Sequence, residues 1–308
     1  MGASRIDYAG YRDCVSLRNA DVEVILGPHC GGRVLAYAWH DENALALSPQ
    51  QDGWTYEGQA PPLGTPSGGR FDIGPEMTIP PHTMLWLGPW EAEITGPGSA
   101  RMTSVVDEAL GVQLTREFEL AEAGSRLTCT QTIHNLSGAE LHTCHWSRTF
   151  GAGHGICVVP LSPHSRFPSQ YIQYEPGGRI NCRPEDPSIE VRDGVFLLLD
   201  TPKHPKLGLD STVGWFAYLM PNDLMLVKSY PTYPDRVYGE MAGLTISLWY
   251  MRDLVCELEP IGPREILPTG ASASFTETWY LTPYAFPDPR GSVDPVHVAK
   301  LAKELMKA

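Results

Sequence analysis

Apolar and polar positions alternate with a period of two along most of this chain, the pattern of half-buried β-strands. "DCVSLRNADVEVILGP" reads as two short strands around a turn at Asn19–Ala20, and "GGRVLAYAW" as a third. "GVQLTREFELAEAGSRLTCTQTIHNLSG" reads as a hairpin, with turns at Glu122–Gly124 and Asn135–Gly138. "ELHTCHWSRTF", "GVFLLLD", "GWFAYLM", "LMLVKSYP", "LTISLWYM", "LVCELEP" and "SFTETWYL" continue the alternation. Many turn-bounded strands imply an all-β, antiparallel sandwich or barrel. Helix is expected only at the C-terminus. There Asp294 is placed to cap, Pro295 fits the first turn, and Val298, Leu301 and Leu305 form an apolar stripe. Two stretches rich in Gly and Pro, Gln50 to Pro81 and Pro160 to Pro187, read as long loops of the kind that serve binding sites. Strands on both sides of residue 150 are needed to fill the sheets, so one domain over residues 1–308 is expected.

Composition sharpens this picture. The chain has 308 residues, 42% hydrophobic and 19% charged, which suits a globular protein with a full core. Its 30 Gly and 28 Pro fit a turn-rich fold. A net charge of -13 argues against nucleic acid or an anionic membrane as partner. No apolar run reaches the ~18 residues of a membrane span, and the N-terminus lacks the apolar core of a signal peptide. The seven cysteines are scattered without a CxxC pair, which fits reduced, mostly buried thiols. A cytoplasmic protein is expected on these grounds, as monomer or homodimer.

Two strands carry candidate chemistry. In "LHTCHWSRTF", alternation puts His142, Cys144, Trp146 and Arg148 on one face and Thr143, His145, Ser147 and Thr149 on the other. In "CELEP", Glu257 and Glu259 share a face opposite Cys256 and Leu258. A His and a semi-buried Glu are the usual proton donors and acceptors near neutral pH. If the wholly polar face of the first strand meets the acidic face of the second across one concave sheet, they supply an acid and a base. His142 and His145 point to opposite faces and cannot share a zinc, and no acidic loop has calcium-site spacing. No Gly-x-Ser-x-Gly elbow or phosphate loop is present.

"TCHWSRTF" resembles the "TNHxYFN" strand of the aldose 1-epimerase, or galactose mutarotase-like, superfamily. "CELEP" is similar to that family's late "CLE" strand. "KLGLDS", Lys206 to Ser211, sits where the family has an Asp that binds sugar hydroxyls, and the early "NADVEVILGPHCGGRVLAYAW" resembles its opening hairpin. The resemblance implies an antiparallel β-supersandwich holding a sugar in a concave cleft. It implies His145 as the acid on the ring oxygen, Glu259 as the base on the anomeric hydroxyl, and Asp210 orienting hydroxyls. No cofactor or metal is implied, because the chemistry is proton transfer. Glu259 is expected to act as the base ahead of Glu257, because it stands at the strand end beside Pro260.

The chain departs from the family's "HGG" motif, carrying "SGGRFDIGPEMTIPPHTMLW" with Arg70, Asp72, Glu76 and His82 instead. These four, with Arg148, Lys228 and Trp146, are the expected substrate-binding set. Trp54, Trp86, Trp90, Trp146, Trp215 and Tyr230 could stack on the C–H faces of a sugar. If Arg148, Arg166, Arg179, Arg183, Lys206 and Lys228 converge, they suit an anionic sugar. The expected activity is interconversion of α and β anomers of a free sugar or sugar acid. Alternatives are a noncatalytic carbohydrate-binding protein of the same fold, or a sandwich related to polysaccharide lyases and glycoside hydrolases.

Overall fold

Local chemistry sets the strands as expected. In Leu127–Asn135 every second residue is buried from end to end. Asn19 Oδ1 accepts hydrogen bonds from the amides of Asp21 and Val22, each at 2.9 Å. This side-chain mimic of a turn joins the strands Tyr11–Arg18 and Val22–Gly27. The hairpin of Val112–Leu120 and Leu127–Asn135 closes with Leu120 opposite Leu127.

The computed structural model describes residues 1–64, 66–251 and 254–307. Among these, the strands form two large antiparallel sheets, one of 13 strands and one of 10. The middle of the larger sheet runs Arg33–Trp39, Gly69–Gly74, Leu141–Ala152, Val255–Pro260, Ile246–Met251, Lys206–Leu209, Ile172–Glu175. The two sheets pack face to face. Tyr37, Phe71, Tyr250 and Leu258 of the first bury against Phe118, Phe216, Tyr218 and Trp279 of the second. No helix among the described residues is long and apolar enough to cross a membrane.

The helix Pro295–Leu305 forms where expected. The Asp294 carboxylate accepts from the amides of Val296 and His297 at 2.9 and 3.1 Å. It lays Val298 and Ala302 on the outer face of the smaller sheet, against Ile156, Val158 and Trp215. All seven cysteines are free thiols, six of them buried and Cys182 exposed.

The two expected loops contain more order than their composition suggests. Gly69–Gly74 lies inside the first and is a strand with every residue buried. Ile172–Glu175 and Arg179–Asn181 lie inside the second and extend the same sheet. Glycines at both ends and the charges of Arg70 and Asp72 hide the first strand from an apolar count. Its Phe71 and Ile73 alternate inward all the same.

Candidate active site

The outer face of the larger sheet carries a dense set of charged side chains, supplied by alternate residues of adjacent strands. Gly69–Gly74 contributes Arg70 and Asp72, Leu141–Ala152 contributes Trp146 and Arg148, and Val255–Pro260 contributes Glu257 and Glu259. In register, Arg70 lies opposite Arg148, Glu257 opposite Trp249, and Trp249 opposite Lys206. A cavity of about 280 Å³ opens over this face, lined by Glu76, Trp86, Arg148, Lys206, Trp249, Glu257 and Glu259.

Arg148 is the hub. Its Nε lies 3.4 Å from Asp72 and 3.5 Å from Glu259, and its terminal nitrogens lie 3.4 Å from Glu76 and 3.9 Å from Glu257. Burial opposes its charge, but the four carboxylates outweigh burial and raise its pKa further. The guanidinium also stacks over the Trp146 ring at 4.6 Å. Arg70 backs the site. It is 1% exposed, sits 4.5 Å over the Trp86 ring and reaches Glu257 at 3.4 Å. Lys206 pairs with Glu76 and lies over the rings of Trp146 and Tyr174. Glu240, buried and raised in pKa chiefly by that burial, accepts from the Glu76 amide at 2.9 Å.

The carboxylates differ in proton affinity. Asp72 is buried, which by itself would raise its pKa. The hydrogen bond from His82 and the charges of Arg148 and Arg70 override this and hold it at about 2. Glu257 goes the other way. Burial and then the neighbouring Glu259 charge raise it, beyond what Arg148 and Arg70 recover, to about 7. One cleft therefore holds Glu257, whose proton affinity is raised, beside Glu259, which lies 3.5 Å from Arg148.

The expected pairing of His145 with Glu259 is corrected by the fold. His145 is fully buried and points between the sheets, stacked by Phe71 and Phe275 with centroids at 5.8 and 5.7 Å. Its Nε2 lies 3.0 Å from the Ala273 carbonyl, and burial lowers its pKa to about 4. The wholly polar face of Leu141–Ala152 is thus the inner one. Ser147 and Thr149 on that face accept hydrogen bonds from Lys228 at 3.1 and 3.0 Å, and Lys228 pairs with Glu277 at 2.9 Å. Lys228 is therefore a core cation and lies away from the cleft. Trp146 and Arg148, on the other face, line or underlie the cleft.

The remaining expected residues divide. Arg70, Asp72, Glu76 and His82 converge with Arg148 as one network, His82 standing 2.6 Å from Asp72. Asp210 lines a separate cavity and accepts from Ser165 and Arg166. Of the basic set, Arg148 and Lys206 reach the cleft, while Arg166 lines the second cavity. Glu257, ranked below Glu259 on sequence, stands beside it. Trp249, Tyr174 and Glu240 were not anticipated. For Trp249 a signal existed, since Leu248 and Tyr250 of "LTISLWYM" enter the core and leave Ser247 and Trp249 on the cleft face.

No protein-family model and no curated protein matches the sequence. Solved structures do match. A galactose mutarotase-like protein of Clostridium acetobutylicum superposes with a TM-score of 0.63 at 11% identity, over 91% of this chain and 98% of the other. The Slr1438 protein of Synechocystis sp. PCC 6803 gives 0.61 at 13% identity, over 91% and 99%. A galactose mutarotase-like protein of Lactobacillus casei gives 0.58 at 10% identity, over 87% and 100%. The chain therefore has the galactose mutarotase-like sandwich fold.

Proposed function

We propose that this protein interconverts the α and β anomers of a free sugar or sugar acid, with two glutamates in place of a His/Glu pair. The observation that carries the proposal is the placement of Glu257 and Glu259 on one face of one strand. Both open into the same cavity, and Glu257 is poised to hold a proton near neutral pH. The volume of about 280 Å³, just below the ~300–1,000 Å³ of drug-sized ligand sites, suits a ligand as small as a monosaccharide. Trp86 and Trp249 in its wall offer apolar faces to a pyranose ring.

In this mechanism Glu259, ion-paired to Arg148, takes the proton of the anomeric hydroxyl while protonated Glu257 gives its own to the ring oxygen. The C1–ring oxygen bond breaks as the C1 carbonyl forms. Rotation about C1–C2 and the reverse transfers close the ring on the other face, so no proton is gained or lost overall. Each positioned group of this kind contributes about 10²–10⁴-fold. The fold shared with galactose mutarotase-like proteins supports the substrate class.

The test is anomer exchange followed by NMR saturation transfer across hexoses, pentoses and uronates. Glu257→Gln and Glu259→Gln should each lose about a hundredfold or more. A wild-type protein that exchanges no anomer of any of these sugars, or variants that retain full rate, would overturn the proposal.

A further inference from the structure

A second cavity, of about 620 Å³, is lined by residues that share none with the catalytic cleft, among them Arg166, Asp210, Thr212, Arg236, Tyr238 and Thr245. Its most constrained feature is Arg166. The Asp210 carboxylate accepts from the Arg166 amide at 2.8 Å, from its Nε at 3.4 Å, and from Ser165 Oγ at 2.6 Å. On the other side, Arg166 Nη2 donates to the Gly243 carbonyl. That carbonyl is presented by two successive left-handed residues, Ala242 at φ 60° and Gly243 at φ 70°. The positive φ at Gly243 favours glycine, and a Cβ there would displace the guanidinium from its present place. A buried carboxylate and a carbonyl presented by two left-handed residues thus hold one arginine whose side chain is still 60% exposed. Backbone strain of this kind is retained where the position it fixes has a use.

Arg236 is held in a similar way from another segment. Its Nη2 donates to the Arg264 carbonyl and to Glu265, both at 2.8 Å, and the guanidinium lies 5.5 Å over the Tyr233 ring. Arg166 is anchored through Nε and Nη2 and Arg236 through Nη2, and neither Arg166 Nη1 nor Arg236 Nη1 has a hydrogen bond among the described residues. A fixed guanidinium with donors to spare recognises planar or tetrahedral oxyanions by paired hydrogen bonds. Asp210 thus anchors the Arg166 backbone and guanidinium through one oxygen and Ser165 through the other.

We propose that this cavity is a second ligand site, separate from the cleft, which binds a small molecule through an oxyanion, carboxylate or phosphate, held between Arg166 and Arg236. The polar side chains of Thr212, Tyr238 and Thr245 would face the rest of the ligand.

The experiment is calorimetric titration of the full chain with inorganic phosphate, with glucuronate, and with glucose as the neutral control. Arg166→Gln and Arg236→Gln, separately and together, should weaken oxyanion binding by about ten- to a hundredfold. Glu257→Gln, a change in the cleft, should leave phosphate binding unchanged. Arg166→Lys, which keeps the charge and loses the fork, should fall between wild type and Arg166→Gln, and guards against a folding artefact. Tighter binding of phosphate or of glucuronate identifies which oxyanion the site prefers, and either result supports the site. The proposal fails if neither anion binds saturably, if the arginine variants bind as wild type does, or if Glu257→Gln abolishes phosphate binding and so assigns it to the cleft. None of these results depends on whether anomer exchange occurs.

Discussion

Nε2 of His82 lies 2.6 Å from Oδ1 of Asp72, while Nδ1 of the same ring lies 2.8 Å from the Pro80 carbonyl. Both ring nitrogens face oxygens, an arrangement satisfied in full only by the doubly protonated imidazolium. His82 precedes the short helix Thr83–Trp86, whose Trp86 walls the cleft and stacks on Arg70. Asp72 in turn contacts Arg148. A single chain of contacts therefore joins the cleft wall to the hub cation.

The first prediction follows from this pair. Burial opposes the His82 charge, but the Asp72 hydrogen bond and charge prevail, aided by Asp107, and its pKa rises above the ordinary 6.5. A histidine with a raised folded-state pKa contributes stability that is complete below 6.5 and is lost as pH rises through the raised value. The melting temperature of the wild type should therefore decline as pH climbs above 6.5, and His82→Asn should lack that component. Parallel pH–Tm curves for the two proteins would disprove the linkage.

His145→Phe separates the inner face from the cleft. Phe71 and Phe275 already stack on this ring, so a phenyl fits, at the cost of the bond to Ala273, worth about 1 kcal/mol. Anomer exchange should stay within a few-fold of wild type. Because burial lowers the His145 pKa to about 4, the native ring stays neutral where the unfolded one charges, and stability is lost as pH falls from 6.5 towards 4. The variant should lose that acid sensitivity. A folded variant without exchange would return His145 to the mechanism.

Lys228 and Glu277 form a fully buried pair between the sheets, with Gln131 and Trp279 also donating to Glu277 at 3.0 and 2.9 Å. Lys228→Met strands the carboxylate and should cost about 3–5 kcal/mol in denaturant unfolding. Lys228→Met combined with Glu277→Gln removes both charges and should recover most of that loss. A double variant as unstable as the single one would show that the charges are not the cause.

Limited proteolysis addresses domain organisation. Leu141–Ala152 pairs with Gly69–Gly74 on one side and Val255–Pro260 on the other, so strands from the two halves of the chain interleave. Cleavage near residue 150 should yield no fragment that stays folded after separation. Recovery of two stable halves would contradict a single domain.

Local sequence determined much of this protein. It located the Asn19 turn and the Val112–Asn135 hairpin through alternation and turn residues, and the Asp294-capped helix through its cap and apolar stripe, because these depend on neighbours in sequence. It also put Glu257 and Glu259 on one face, and Arg148 on the face opposite His145. Tertiary structure decided which face meets which partner. A period of two says which side chains travel together and leaves open whether a polar face looks onto a cleft or into a core. Here the polar face of Leu141–Ala152 is buried because the opposite sheet supplies Lys228 to satisfy its hydroxyls. The strand Gly69–Gly74 likewise depends on the two strands that flank it, which are distant in sequence. The charge network around Arg148 gathers groups from three strands and one loop. No local pattern encodes that convergence, since it arises only when the sheet assembles.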